Sequence, residues 1–248
     1  MTNYQEVNFK RIPTVDFPED RDFSVESVDE ELVDPAAYSG GRIVSDSAYY
    51  AQGIKGSIDL CPMRRGAADR LLKAASLLPE GYTFQIFDAW RPYEVQYSLY
   101  YNYFGALADS GKYDDYLVKE LHKVTRTFVS FPRKGEAVSY VHSSGGAVDL
   151  TIVDENGREL PMGSGFDEFT DRSNTDYYET HEIDEEVRRN RRMLYHVMTE
   201  SGFVNLPSEW WHFDYGDKFW AYYTGNSVLY ESLYGLPQYL KEKVRVHG

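Results

Sequence analysis

Two rhythms of apolar residues divide this chain. Ala67, Leu71, Leu72 and Ala75 recur at three- and four-residue intervals, the stripe of an amphipathic helix predicted over residues 62–78. Pro62 suits its first turn, where a missing N–H is tolerated, and Pro79-Glu80-Gly81 ends it. Tyr82-Thr83-Phe84-Gln85-Ile86-Phe87 switches to period two and reads as a strand. A Tyr-rich helix is predicted over 93–107 and another over 113–128. A strand follows over 147–153, then loop over 154–183. Residues 184–201 form a charged helix with Leu194, Val197 and Met198 inward, Asp184 as its cap and Gly202 as its stop. Residues 211–215 alternate as a short strand, with Trp211, Phe213 and Tyr215 on one side and His212 and Asp214 on the other. Two short helices over 218–223 and 227–240 close the chain.

Helices and strands mix without a strict βα rhythm, which predicts an α+β fold with a mainly antiparallel sheet in a single domain over 51–248. Residues 1–50 are acidic and irregular, with Pro13, Pro18, Pro35 and a Gly40-Gly41 turn. They read as an arm packed on the core, with at most short strands, able to bring tyrosines to a pocket rim. The chain's 248 residues suffice for a large core without disulfide staples.

Composition narrows the function classes. Hydrophobic residues make up 42% and aromatics 16%, with 22 Tyr, which excludes a disordered chain. A net charge of −14 repels nucleic acid and anionic membranes, so neither is an expected partner. The lone cysteine, Cys61, cannot form an internal disulfide, and before Pro62 it reads as a core or helix-start residue rather than a nucleophile. No apolar leader and no long apolar run is visible, so a cytoplasmic location is expected.

The candidate chemistry lies in three stretches. In Tyr140-Val141-His142-Ser143-Ser144-Gly145-Gly146-Ala147-Val148-Asp149, a Gly-Gly turn can fold the chain so that His142 and Asp149 meet. Imidazole plus carboxylate is a ligand set that suits zinc. In Glu209-Trp210-Trp211-His212, a carboxylate precedes a histidine by three residues among bulky aromatics. Taken singly, His212 reads as a satisfied core histidine on an aromatic strand. Taken with His142 and Asp149, it completes three ligands and leaves a fourth zinc position for water, as in catalytic sites. Arg91 sits at a strand end before Pro92. It either presents its donor fork to an oxyanion or pins the loop by pairing with Asp88.

Together these stretches resemble the D-alanyl-D-alanine dipeptidases, the vancomycin-resistance-type zinc dipeptidases. The resemblance rests on Asp88-Ala89-Trp90-Arg91-Pro92, on His142 to Asp149, on Met162-Gly163-Ser164-Gly165-Phe166-Asp167 and on Glu209-Trp210-Trp211-His212, in that order across about residues 60–220. It implies the small α+β fold of the D-Ala-D-Ala metallopeptidases, which is hedgehog-like, with one Zn2+ per chain. It further implies zinc ligands His142, Asp149 and His212, Glu209 as the base activating a metal-bound water, and Arg91 as stabiliser of the transition state. Asp167 corresponds to an acid near the substrate's amino group; by itself it is equally a loop residue capping a turn. Tyr140 stands where the family usually has serine, at a position lining the substrate site. The implied reaction is hydrolysis of a small D-amino-acid dipeptide. A same-fold D,D-carboxypeptidase or peptidoglycan endopeptidase would use the same zinc and base in an open cleft, and a zinc-stabilised binding module would need neither Glu209 nor Arg91. The arm before residue 50 is long enough to reshape the rim or to mediate homo-oligomer assembly.

Overall fold

The computed structural model describes residues 10–19, 21–181 and 184–248. The arm expected over residues 1–9 and at residue 20, and the loop expected at 182 and 183, lie outside the described residues. In chain order the elements are β1 (Leu32–Val33), β2 (Ile43–Ser45), α1 (Ala48–Ala51), β3 (Met63–Arg64), α2 (Arg65–Leu77), β4 (Thr83–Asp88), α3 (Tyr93–Asp109) and α4 (Val118–Phe128). Then come β5 (Val148–Val153), α5 (Tyr177–Thr180), α6 (Glu185–Glu200), β6 (Val204–Asn205), β7 (His212–Asp214), α7 (Lys218–Thr224) and α8 (Gln238–Lys241). The architecture is α+β, as expected from the mixed rhythm.

Five strands form the main sheet in the order β2-β4-β5-β7-β6. All its pairings are antiparallel except β2 with β4, which is parallel. The strand β2 falls within the stretch read as an irregular arm; its three residues carry too little alternation to declare a strand alone. The sheet buries one face against α2 and α6. Phe84 and Ile86 of β4, Val148, Leu150 and Ile152 of β5 and Phe213 of β7 meet Ala67, Leu71 and Ala75 of α2 and Leu194, Val197 and Met198 of α6. The alternation that sends these residues to the core sends Asp149 and His212 to the other face. Every residue of β5 is buried, as suits a central strand.

Three expected helices differ in extent. The first begins at Arg65 rather than Pro62, because Met63 and Arg64 pair with β1 and the Arg64 N–H bonds to the Gly145 carbonyl. The helix expected from 113 begins at Val118, where Glu120 accepts from the Leu117 N–H and closes the first turn. Most of 227–240 is not helical. Val228 bonds to Ser24, Leu229 and Tyr230 to Gly216, and Leu233 to Ser143, so tertiary backbone pairing overrides local helical spacing. Only Gln238–Lys241, after Pro237, coils. Asp184 caps α6 as expected, accepting from the Glu186 and Val187 N–H groups.

Of the stretch expected as loop over 154–183, residues 154–176 are loop apart from one 3-10 turn at Asp171–Ser173, but Tyr177–Thr180 coils as α5. This loop is braced by Arg191 of α6, which is 2% exposed. Its guanidinium donates to the carbonyls of Met162 at 2.7 Å, Asn174 at 2.6 Å and Arg172 at 2.6 Å, and it packs over Tyr178 and Trp210. Arg191→Met keeps the apolar stem but strands the buried Met162 carbonyl and two part-buried ones, and a buried carbonyl left unpaired costs about 1–3 kcal/mol. The expected loss is about 2 kcal/mol in urea unfolding, and an unchanged midpoint would remove Arg191 as the brace.

Candidate metal centre and active site

The site is laid out by strand register. Asp149 of β5 lies directly opposite His212 of β7, and Asp88 of β4 lies opposite Asp149 on the other side. The register of β4 shifts between Ile86 and Asp88, a bulge that brings Asp88 into line. The third ligand candidate arrives from outside the sheet. His142 sits on a 3-10 turn, Val141–Ser144, fastened by the Ser143 and Ser144 hydroxyls to the carbonyls of Tyr140 and Val141. Gly145 then takes a φ of +76°, and Gly146 passes so close to Tyr215 that a Cβ would sit 2.1 Å from its carbonyl oxygen. Only glycine allows that approach, and it lets the chain turn from His142 into β5.

Three acceptor atoms converge. His142 Nε2 is 3.2 Å from His212 Nδ1 and 3.3 Å from Asp149 Oδ2, while His212 Nδ1 is 2.8 Å from Asp149 Oδ1. All three residues are buried, and their ligand atoms lie within 4.8 Å of one another. The outer nitrogens are engaged elsewhere. His142 Nδ1 lies 2.8 Å from the Ala89 carbonyl and 3.1 Å from Asp88 Oδ2, and His212 Nε2 lies 2.9 Å from Asp214 Oδ1. With protons on those outer nitrogens, both inner nitrogens turn lone pairs toward one point already faced by a carboxylate. Such a concentration of electron density fits a cation, and two imidazoles with a carboxylate form a zinc-type donor set.

Electrostatics tell the same story. Burial pushes the Asp149 carboxyl up, yet His142 and His212 outweigh it and hold it well below the usual carboxylate range. Burial lowers the His212 imidazole, but Asp214 and Asp149 overcome this and raise it. Glu209 occupies the turn before β7, its carboxylate 3.9 Å from His212 Nδ1 and 19% exposed toward the cavity. Burial, with Asp149 and Asp167 adding repulsion, raises it to about 8.

Arg91 pairs with Asp88, as one of its two readings expected, and also reaches the cavity. It pins the loop by donating from Nε to Asp88 at 2.8 Å and from Nη1 to Gln96 at 2.8 Å. Its Nη2 faces Tyr49 Oη at 3.3 Å and Asp149 Oδ2 at 3.4 Å, within the cavity wall. Burial disfavours its charge, and Asp88, Tyr49 and Asp149 together more than restore it. Tyr140 lines the same cavity, but its hydroxyl donates to the Arg91 carbonyl at 3.0 Å, so it holds the arginine's loop. Asp167 has a left-handed φ of +57°, rare for a non-glycine residue. Its carboxylate accepts from Tyr49 Oη at 2.9 Å, and burial followed by Asp149 raises it to about 6.

The structure thus brings His142, Asp149, His212, Glu209, Arg91, Asp167 and Tyr140 around one cavity of about 280 Å3. Residues with a part in it that the sequence reading did not single out are Tyr49, Gln96 and Asp214. Tyr49 is the arm tyrosine that reaches the site, four residues after the end of β2. Asp214 was placed on the His212 side of its strand, but nothing in spacing alone made it that histidine's partner. Among the described residues no helix is long and apolar enough to cross a membrane.

Comparison with known proteins defines first the class: together with this site, the relatives make the chain an enzyme of the metallopeptidase class. The chain belongs to the family described as D-ala-D-ala dipeptidase, whose sequence model matches residues 52–228. A D-alanyl-D-alanine dipeptidase of Synechocystis is 32% identical over 177 residues, 64% of this chain and 71% of that protein. The protein of the same name from Escherichia coli is 36% identical over 155 residues, 62% of this chain and 66% of its own length. One from Enterococcus faecium is 32% identical over 154 residues, covering 61% and 71%. Among solved structures, a vancomycin-resistance D,D-pentapeptidase, VanY, in complex with Zn(II) aligns with a TM-score of 0.39 and 14% identity, over 71% of this chain and 88% of that one. That is a loose likeness.

The raised Glu209 carboxyl gives a pH signature. A carboxyl whose pKa rises on folding favours the folded state below its unfolded value near 4.5, and this contribution is lost as pH climbs through about 8. In chelator, wild-type stability is expected to fall across that window relative to Glu209→Gln by up to a few kcal/mol, read from urea unfolding at pH 4 to 9. Parallel curves for the two proteins would contradict this.

Proposed function

We propose that this chain hydrolyses D-alanyl-D-alanine as a free dipeptide, with zinc held by His142, Asp149 and His212 and Glu209 as the base. The observation that carries the reading is the convergence of three acceptor atoms beside the half-buried Glu209 carboxylate. A zinc ion there would supply Lewis-acid polarisation of the scissile carbonyl and a lowered pKa for water. Glu209, which lines the cavity, takes the proton of the attacking water and passes it to the leaving nitrogen. Its raised pKa suits a group that must both accept and return a proton near neutrality.

Arg91 directs Nη2 to the cavity while Asp88 and Gln96 hold its other nitrogens. That leaves a preset donor for charge developing on the carbonyl oxygen, where it strengthens as the transition state forms. Asp167, fixed by Tyr49, accepts the substrate's ammonium; a bound cation would return the carboxyl to its ionised form. A cavity of about 280 Å3 is at the small end of ligand pockets, about 300–1,000 Å3, and suits a dipeptide better than a long chain.

Three substitutions test the roles. Glu209→Gln should keep one zinc per chain by plasma emission while kcat falls about 100- to 10,000-fold; His142→Ala should lose zinc, and undiminished metal content there would remove it from the ligand set. Arg91→Lys should lower kcat about 100-fold or more with little change in KM; a change confined to KM would make it a binding residue only. Hydrolysis of free D-Ala-D-Ala, compared with a stem pentapeptide and abolished by chelator, tests the reading as a whole.

A further inference from the structure

Part of the cavity wall is unused by the chemistry above. Leu99 and Tyr103 of α3, Phe128 at the end of α4, and Phe169 line it as an apolar patch. The three rings pack on one another, with centroids 5.6 Å apart for Tyr103 and Phe128, 5.4 Å for Tyr103 and Phe169, and 5.6 Å for Phe128 and Phe169. Phe128 remains 41% exposed, so the patch is assembled but uncovered. Fixed rings that face a ligand cavity offer area to an apolar group and no donor or acceptor except the Tyr103 hydroxyl.

The patch is tied to Asp167. Phe169 follows that residue by two positions, and Cα atoms two residues apart are separated by at most about 7 Å. The loop between them is closed by backbone bonds from Glu168 to Gly165 and from Thr170 to Glu168. Tyr49 fixes the carboxylate, and Arg191 braces the loop through Met162 and Arg172 on either side. A ligand's ammonium at Asp167 is one bond from its α-carbon, and the side chain on that carbon is two bonds away. That side chain is within reach of the rings, which line the same cavity as Asp167.

We propose that this site selects dipeptides whose amino-terminal residue carries an apolar side chain larger than methyl, seated on Leu99, Tyr103, Phe128 and Phe169. The proposal rests on the peptidase reading and on Asp167 as the ammonium acceptor. A methyl group leaves most of the patch in water. A leucyl or phenyl side chain covers it, and each added methylene in an apolar pocket typically changes kcat/KM by about 10-fold or more.

The test uses the full-length zinc-loaded enzyme and compares kcat/KM for D-Ala-D-Ala, D-Leu-D-Ala, D-Phe-D-Ala and D-Ala-D-Leu. The expected order places D-Leu-D-Ala and D-Phe-D-Ala about 10-fold or more above D-Ala-D-Ala, with no such gain for D-Ala-D-Leu. Phe169→Ala should shrink the ratio of D-Leu-D-Ala to D-Ala-D-Ala toward one. Phe128→Ser, on a different element, should do the same, so that a folding defect in one variant leaves the other decisive. A ratio at or below one in the wild type, or a ratio unmoved by both substitutions, overturns the proposal. Cleavage of D-Ala-D-Ala with no preference overturns this inference alone, and cleavage of none of the four overturns it together with the peptidase reading.

Discussion

The lateral alignment of Asp88, Asp149 and His212 across three neighbouring strands is the constraint on which this protein depends. Side chains on a strand alternate faces, so a slip of one residue would send a ligand into the core and a core residue into the site. The same alternation that lodges Val148, Leu150 and Phe213 against α2 and α6 is what aims Asp149 and His212 the other way. Core packing and site geometry are therefore one specification. The hydrophobic face sets the register, and the register sets the distances among the charged groups.

The charge distribution around that alignment is costly for the chain alone. Asp88, Asp149, Asp167, Glu209 and Asp214 crowd one buried region, answered by Arg91 and two imidazoles. Burial raises the Asp88, Asp167 and Glu209 carboxyls toward neutrality even with Arg91 and the histidines beside them. Asp149 is the exception, kept ionised by its histidines. Arg91 restrains the repulsion by touching Asp88 and Asp149 at once. Its fork thus does what neither reading from sequence could do alone, pinning a loop and facing the cavity with different nitrogens.

Much of this was legible from residues. Period-two runs located β4 and β7, the Gly-Gly turn located β5, helical stripes located α2 and α6, and Asp184 announced its cap. The three convergent ligand candidates stood out because glycines separate two of them and aromatics flank the third. Other features depend on partners far away in sequence. The three residues of β2 acquire strand character only beside β4, and residues 228–230 stay extended because Ser24 and Gly216 supply their hydrogen bonds. Tyr49 sits in a short helical turn with no motif around it, and only folding brings its hydroxyl between Arg91 and Asp167. Local spacing reports what a segment can be; it cannot report which distant backbone or carboxylate will claim it.

The Gly145-Gly146 turn ties two properties together. Its second residue is clamped between the Tyr215 carbonyl and the Tyr230 ring, and its first lies against Leu32 and Arg64. The segment carrying His142 is thereby keyed into the ribbon of β1 and β3 and into the chain just after β7. An ion gripped by this histidine and by two sheet strands would bridge parts of the molecule far apart in sequence. Because ligand binding that favours only the assembled state adds to its stability, the metal supply would govern how long each copy of the protein endures.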